Sequence, residues 1–317
     1  MALNKKFILK HATLQLFTDY MINLLKRKRI LIPIAIISML LVAFAQNKGK
    51  VTVAGHLDDT NLNEISGMAS STIHPGIYYV HNDSGDTSRF FAITPQGKLK
   101  HTFYFKGEAA ERLGVRDCED IAVGPGPANG ISYIYLGDIG DNDANRKYLV
   151  IYRFAEPENI AQAAPITGER LFVKYPDGAK DAETLMVDPV ERLLYIVSKR
   201  KGSVNVYTTP LNFNANDTVT LEKRAKLHFG GLPPFKWITS GAISKDGGKI
   251  LLRNYEHVYY WVRKPGVPVW QTMTTKPAKL YYKQEKQGEA IAFTPDGKGY
   301  YTTSEGLGAP VYYYNLP

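Results

Sequence analysis

Cysteine is almost missing from this chain of 317 residues, where Cys118 stands alone. A disulfide framework, a thiolate metal cluster and a lipid-anchoring cysteine behind the N-terminal apolar segment are thereby excluded. The chain also lacks a Gly-x-Ser-x-Gly elbow, and none of His56, His74, His81, His101, His228 or His257 stands in a metal-ligand pair or beside an obvious nucleophile. Nucleophilic catalysis therefore finds little support, and His81, next to Asn82 at a strand exit, is the histidine best placed for a role. Acids are scarce at the N-terminus: Asp19 alone faces Lys5, Lys6, Lys10, Lys26, Arg27, Lys28 and Arg29, so this segment carries about two-thirds of the net charge of +9. The body is nearly balanced and shows no RNP-like motif, finger spacing or helix-turn-helix signal, so no nucleic-acid partner is expected.

Long apolar runs are missing too, with one exception. Residues 30–45 follow Lys26-Arg27-Lys28-Arg29 and end in Ala43-Phe44-Ala45, which gives a basic n-region, an h-region and a small-x-small cleavage site. This reads as a signal peptide, with Met21 a natural start. An uncleaved anchor is the alternative, since the run is slightly short for a spanning helix. Both readings export the body, to the periplasm or outside the cell, and confine any membrane contact to the N-terminal segment. The chain thus divides into residues 1–45, extension plus signal or anchor, and residues 46–317, one domain.

Tyrosine is abundant at 21, beside 27 glycines and 18 prolines that break the apolar stretches into short runs, as in all-β folds. Five segments align: Ser66-Gly-Met-Ala-Ser, Glu119-Asp-Ile-Ala-Val, Glu183-Thr-Leu-Met-Val, Ser240-Gly-Ala-Ile-Ser and Glu289-Ala-Ile-Ala-Phe. A repeat of this kind decides the architecture. A second strand follows each segment (77–81, 133–137, 193–198, 249–253, 299–303), then an aromatic third (89–93, 148–154, 203–208, 257–262, 310–314). Fourth strands at 98–105, 170–175, 225–229 and 278–282 close four units; the fifth has none, while 51–57 is a strand without a unit. The expectation is an all-β, five-bladed β-propeller of four-stranded antiparallel blades, its ring closed by the N-terminal strand. Two stacked sandwiches are the alternative. Thr94-Pro-Gln-Gly97, Pro176-Asp-Gly178, Lys245-Asp-Gly-Gly248 and Thr294-Pro-Asp-Gly297 read as hairpin turns, and 155–167 reads as an insertion between blades.

The innermost strand of each blade lines the central channel of a propeller, so Ser66, Glu119, Glu183, Ser240 and Glu289 are expected to form a ring about the axis. Glutamates facing one another at ~5 Å would repel by ~3 kcal/mol per pair at an effective dielectric near 20. A hard divalent cation offsets this, and Ca²⁺, with six to eight oxygen ligands in loose geometry, suits the ring better than Mg²⁺ or zinc. The exits of the second strands form a rim: Asp83, Asp138, Lys199, Arg200, Arg253, Tyr255 and Glu305. Carboxylates beside a metal, faced by cations, are what phosphoryl transfer needs.

Glu64-Ile-Ser66, the Tyr-rich strand into Asn82-Asp83-Ser84-Gly85, and then Glu119, Glu183, Ser240 and Gly288-Glu289 in that order resemble the calcium-activated nucleotidase (apyrase) family. More distantly, the chain is similar to secreted propellers of the phytase type. The first resemblance implies a five-bladed propeller with one calcium on its axis, held by Ser66, Glu119, Glu183, Ser240 and Glu289, and hydrolysis of nucleoside phosphates at the mouth. The basic pair Lys199-Arg200 matches the family; an arginine expected after Asp83 is replaced by Ser84-Gly85. On this reading Asp83 or Asp138 orients water, and Lys199, Arg200 and Arg253 bind the phosphate of a small molecule. The other reading is a non-catalytic exported propeller in which calcium is structural and the top surface takes a glycan or protein.

Overall fold

The computed structural model describes residues 51–162, 164–199 and 204–317, all within the compact unit Lys50–Pro317. The signal or anchor segment at 30–45 and the expected phosphate ligand Arg200 lie outside the described residues. No helix among the described residues is long and apolar enough to cross a membrane.

The chain opens with β1 (Val51–His56) and then builds its first blade from β2 (Ile65–Ser70), β3 (Tyr78–Asn82), β4 (Arg89–Ile93) and β5 (Leu99–Tyr104). The second blade is β6 (Cys118–Pro125), β7 (Ser132–Asp138), β8 (Leu149–Ala155) and β9 (Gly168–Lys174). The third is β10 (Ala182–Asp188), β11 (Leu193–Ser198), β12 (Val204–Pro210) and, after the short β13 (Thr218–Thr220), β14 (Glu222–Leu227). The fourth is β15 (Ile238–Ile243), β16 (Lys249–Asn254), β17 (Val258–Val262) and β18 (Ala278–Leu280). The fifth is β19 (Gly288–Phe293), β20 (Gly299–Ser304) and β21 (Pro310–Asn315), and its outer place is filled by β1, antiparallel to β21 with Val51 opposite Tyr314. The ring closes on the N-terminal strand, as the sequence predicts, and β21 is left without a bare edge.

Five apolar clusters hold the ring together, one at each junction of neighbouring blades. Blades one and two, for example, meet through Tyr79, Phe90 and Phe103 against Ile134, Val150 and Tyr152, and blades four and five through Leu251 and Tyr260 against Ile291, Tyr300 and Tyr312. The aromatic third strands supply much of this packing, which is why tyrosine is so frequent; broad rings fill the widening space between blades with large buried area.

Four local features differ from expectation. β13 leaves blade three to pair in parallel with β9 and becomes a fifth strand of blade two; a three-residue strand whose partner lies about 46 residues away carries no local signal. A short helix, α1 (Val269–Met273), occupies the link from β17 to β18. Residues 156–167 join β8 to β9 within the second blade rather than linking two blades, and Pro176-Asp-Gly178 links blades two and three rather than closing a hairpin. At Gly97 and Gly297, φ of +81° and +63° shows why glycine stands in the hairpin turns of the first and fifth blades.

Candidate metal centre

In every blade the pairing of the innermost strand with the second slips near the innermost strand's start. The shifts fall between Ile65 and Gly67, Cys118 and Asp120, Ala182 and Thr184, Ile238 and Ser240, and Gly288 and Ala290. Such a bulge leaves one residue outside the ladder and re-aims its side chain. The extra residues are Ser66, Glu119, Glu183, Thr239 and Glu289, so four of the five residues expected around the axis hold equivalent positions. In the fourth blade the place belongs to Thr239. Ser240 stands one residue further on, in register with Gly67, Asp120, Thr184 and Ala290. Both strands contain Ser-Gly, and matching those pairs displaces the fourth blade by one position. The hydroxyls tie blades together: Ser66 Oγ donates to the Glu119 carbonyl at 2.9 Å, Thr239 Oγ1 to the Gly288 carbonyl at 3.1 Å, and Ser240 Oγ to Asp120 Oδ1 at 3.2 Å.

Above the bulges the carboxylates gather into a crown of three overlapping groups. Asp83, Asp117 and Glu119 each offer an oxygen within 4.8 Å of the other two, as do Asp83, Glu289 and Glu305, and as do Glu119, Asp181 and Glu183. Asp83 and Glu119 each belong to two groups. The three ring glutamates do not share one point: Glu289 joins Asp83 and Glu305, while Glu183 joins Glu119 and Asp181. The sequence expectation leaves out Asp117 and Asp181. A signal for them exists, since Asp117-Cys-Glu119 and Asp181-Ala-Glu183 repeat the same Asp-x-Glu at the start of β6 and β10.

The residue following each second strand supplies the rest of the crown's surroundings. In blades one, three, four and five these are Asp83, Lys199, Tyr255 and Glu305. Lys199 Nζ forms an ion pair with Glu183 Oε1, and the Tyr255 hydroxyl donates to Glu289 Oε1 at 2.6 Å. Asp138 lies one residue earlier, at the last position of β7, and turns to another task. Its carboxylate accepts from the backbone amides of Arg116 (3.0 Å) and Asp117 (3.1 Å) and from Arg146 Nη1 (2.7 Å). It thereby fixes the segment that carries Asp117. Arg253 is fully buried, donating to Glu285 Oε2 at 2.7 Å, to the Tyr282 hydroxyl at 2.5 Å and to the Ala290 carbonyl at 2.8 Å. Its place is a strut between blades four and five.

Burial and mutual repulsion leave four of the crown's acids reluctant to ionise. Burial, reinforced by Glu289 and Asp117, pushes Asp83 up to about 7; burial with Asp181 and Asp138 pushes Asp117 up to about 6. Burial and the adjacent Glu289 raise Glu305 to about 8, and burial with Asp83 and Asp117 holds Glu119 well above the ordinary range. Carboxylates whose ionisation is opposed in this way are neutralised by protons or by a cation. By contrast, His81 is buried and neutral, its Nδ1–H donating to the Asn82 carbonyl at 2.8 Å and its pKa lowered by burial to about 4. Cys118 is also buried, and burial beside acids raises its thiol pKa.

The donor set fits a hard cation. Oxygens bound to one Ca²⁺ at about 2.3–2.6 Å lie at most ~5 Å apart, and each group in the crown meets that limit. A Cβ at Gly140 would collide with Asp117 Oδ2 and Glu119 Oε1, so the bare backbone there leaves room for two carboxylates to converge. Among the described residues, Glu183 Oε2 is buried with no hydrogen-bond partner, while Oε1 is taken by Lys199.

No protein-family model matches the chain, and no curated protein matches it. Solved structures similar in fold include a chain of the nidogen/laminin complex, 12% identical, with 78% of this chain and 74% of that chain covered at a TM-score of 0.44. The Dos1 propeller is also 12% identical, with 80% and 68% covered at a TM-score of 0.39.

Proposed function

We propose that this protein is an exported β-propeller that binds a divalent cation, calcium by its donors, in the carboxylate crown, and that the cation presents a phosphorylated small molecule for hydrolysis. The observation that carries the reading is the overlap of the three carboxylate groups through Asp83 and Glu119. Asp83, Glu289 and Glu305 would hold the ion, with Glu119 and Asp117 at its sides. Bound there, it supplies Lewis-acid polarisation of a phosphoryl oxygen and offsets charge developing on the transferring group.

The chain's own residues divide the remaining work. A carboxylate has two acceptor oxygens, so Asp83 can keep one toward the ion and use the other to orient water. Lys199 and Arg200, at the exit of β11, offer cations for substrate phosphate; Asp138 and Arg253 hold the scaffold. The resemblance to calcium-activated nucleotidases makes nucleoside phosphates the first substrates to try. Phosphate release from nucleotides and sugar phosphates, measured with calcium, magnesium or a chelator, is expected to need calcium and to fall at least tenfold in Asp83→Asn. Absence of cation-dependent release from every substrate would remove the hydrolase reading.

A second reading has its own support. Because Asp138 and Arg253 are committed to internal ion pairs, the mouth has fewer free catalytic groups than the sequence suggests. Calcium would then lock the channel, and the top surface would bind a glycan or protein. Calcium binding without turnover is the outcome expected of that reading.

A further inference from the structure

The crown contains more carboxylates than one divalent ion can offset. Among the described residues seven are gathered in the three groups, against the two charges of a single divalent cation. The groups also differ in what they share. Asp83, Glu289 and Glu305 form one group, Glu119, Asp181 and Glu183 form another, and these two have no residue in common; Asp83, Asp117 and Glu119 lie between them with one member in each.

An independent feature marks the second of these groups. Glu183 is 2% exposed, and among the described residues its buried Oε2 has no hydrogen-bond partner. A buried carboxylate oxygen without a hydrogen bond is unfavourable, and its neighbours in the group are two further acids. The other oxygen of Glu183 already carries a cation, the ammonium of Lys199.

We propose that Glu119, Asp181 and Glu183 form a second divalent-cation subsite beside the one described above, giving a two-ion centre joined through the Asp83–Asp117–Glu119 group. The inference rests on the reading of the crown as a cation centre and adds a second ion and its ligands to it. Oxygen donors and loose spacing again select calcium over a transition metal. Lys199 serves as a partial internal counter-ion, shielding Glu183 when the subsite is empty and yielding it when the ion enters. A pair of ions of this kind is suited to clamp the attacking and leaving oxygens of an in-line displacement.

Calorimetric titration of the full chain with calcium alone tests the proposal. The wild type is expected to take two equivalents. Asp181→Asn and, as a second variant, Glu183→Gln should each take one, while Glu305→Gln keeps the second subsite and weakens the first. Lys199→Met should retain two equivalents and bind the second at least as tightly as the wild type, because a competing cation is gone. Thermal unfolding in excess chelator verifies that each variant is folded.

One equivalent that survives Asp181→Asn and Glu183→Gln unchanged would overturn the second subsite and leave the first in place. One equivalent that those two variants abolish, and that Glu305→Gln leaves intact, would support the second subsite and overturn the first. No bound calcium in the wild type would overturn both.

Discussion

Asp120 sits next to Glu119 in the chain but does a different job. Its carboxylate is fully buried within the ring of innermost strands, where Oδ1 accepts from the Ile121 amide at 2.9 Å and Oδ2 from the Leu185 amide at 3.0 Å. Ser240 Oγ donates to it as well, and the Gly241 amide is a further donor that favours its charged form. One side chain therefore ties together the channel edges of blades two, three and four. Burial raises its pKa, while the donors oppose that rise. Gly67 is bare for the same reason, because a Cβ there would press on Asp120 Oδ1 and His81 Nε2. Asp120→Ala would strand several buried donors at once, each worth about 1–3 kcal/mol when unsatisfied. We predict a loss of about 3 kcal/mol or more in urea unfolding, with Asp120→Asn milder; a change under 1 kcal/mol for Asp120→Ala would contradict this role.

Strand β16 and the link following β18 are joined by a buried ion pair. Arg253 and Glu285 are almost fully removed from solvent, and breaking such a pair from one side costs about 3–5 kcal/mol. Arg253→Ala is accordingly expected to destabilise the fold by about that amount in denaturant unfolding while calcium binding persists in the folded fraction. Normal stability with selective loss of phosphate affinity would instead return Arg253 to the substrate. The fivefold repeat and the closing N-terminal strand were legible because each blade repeats the same order of a short apolar strand, a turn and an aromatic strand. Glu119, Glu183 and Glu289 were legible because each opens such a strand. The placement of Ser240 was not: a bulge shifts register by one residue, and pattern alone does not show on which residue it falls. Nor could pattern show that Asp138, one residue before the position of Asp83 and Lys199, would be turned to Arg146 and two backbone amides. Asp181 reaches the crown through contacts between blades that no local signal reports, apart from the repeated Asp-x-Glu.

Across the whole molecule the raised carboxyls of the crown make stability depend on pH. In an unfolded chain the carboxyls ionise near the ordinary values of 3.8 for aspartate and 4.5 for glutamate, whereas in the folded protein Asp117, Asp83 and Glu305 keep their protons to about 6, 7 and 8. Below about pH 4 both states are protonated and these groups contribute their full stability. As pH rises toward 8 the folded state binds more protons than the unfolded one, so stability falls. Thermal unfolding in chelator should show this decline between about pH 4 and 8, and Asp83→Asn should flatten it; a midpoint rising over the same interval in the wild type would contradict the assignment. A cation that takes the place of those protons should reverse the loss. The most direct measurement is the unfolding midpoint at pH 7.5 with calcium and with chelator. Calcium at a hundred times its dissociation constant would add about 2.7 kcal/mol per site, a rise of about 5–10 °C for a domain of this size, and the rise should shrink in Asp83→Asn. Identical midpoints with calcium, with magnesium and with chelator would contradict the claim that the crown is a divalent-cation centre.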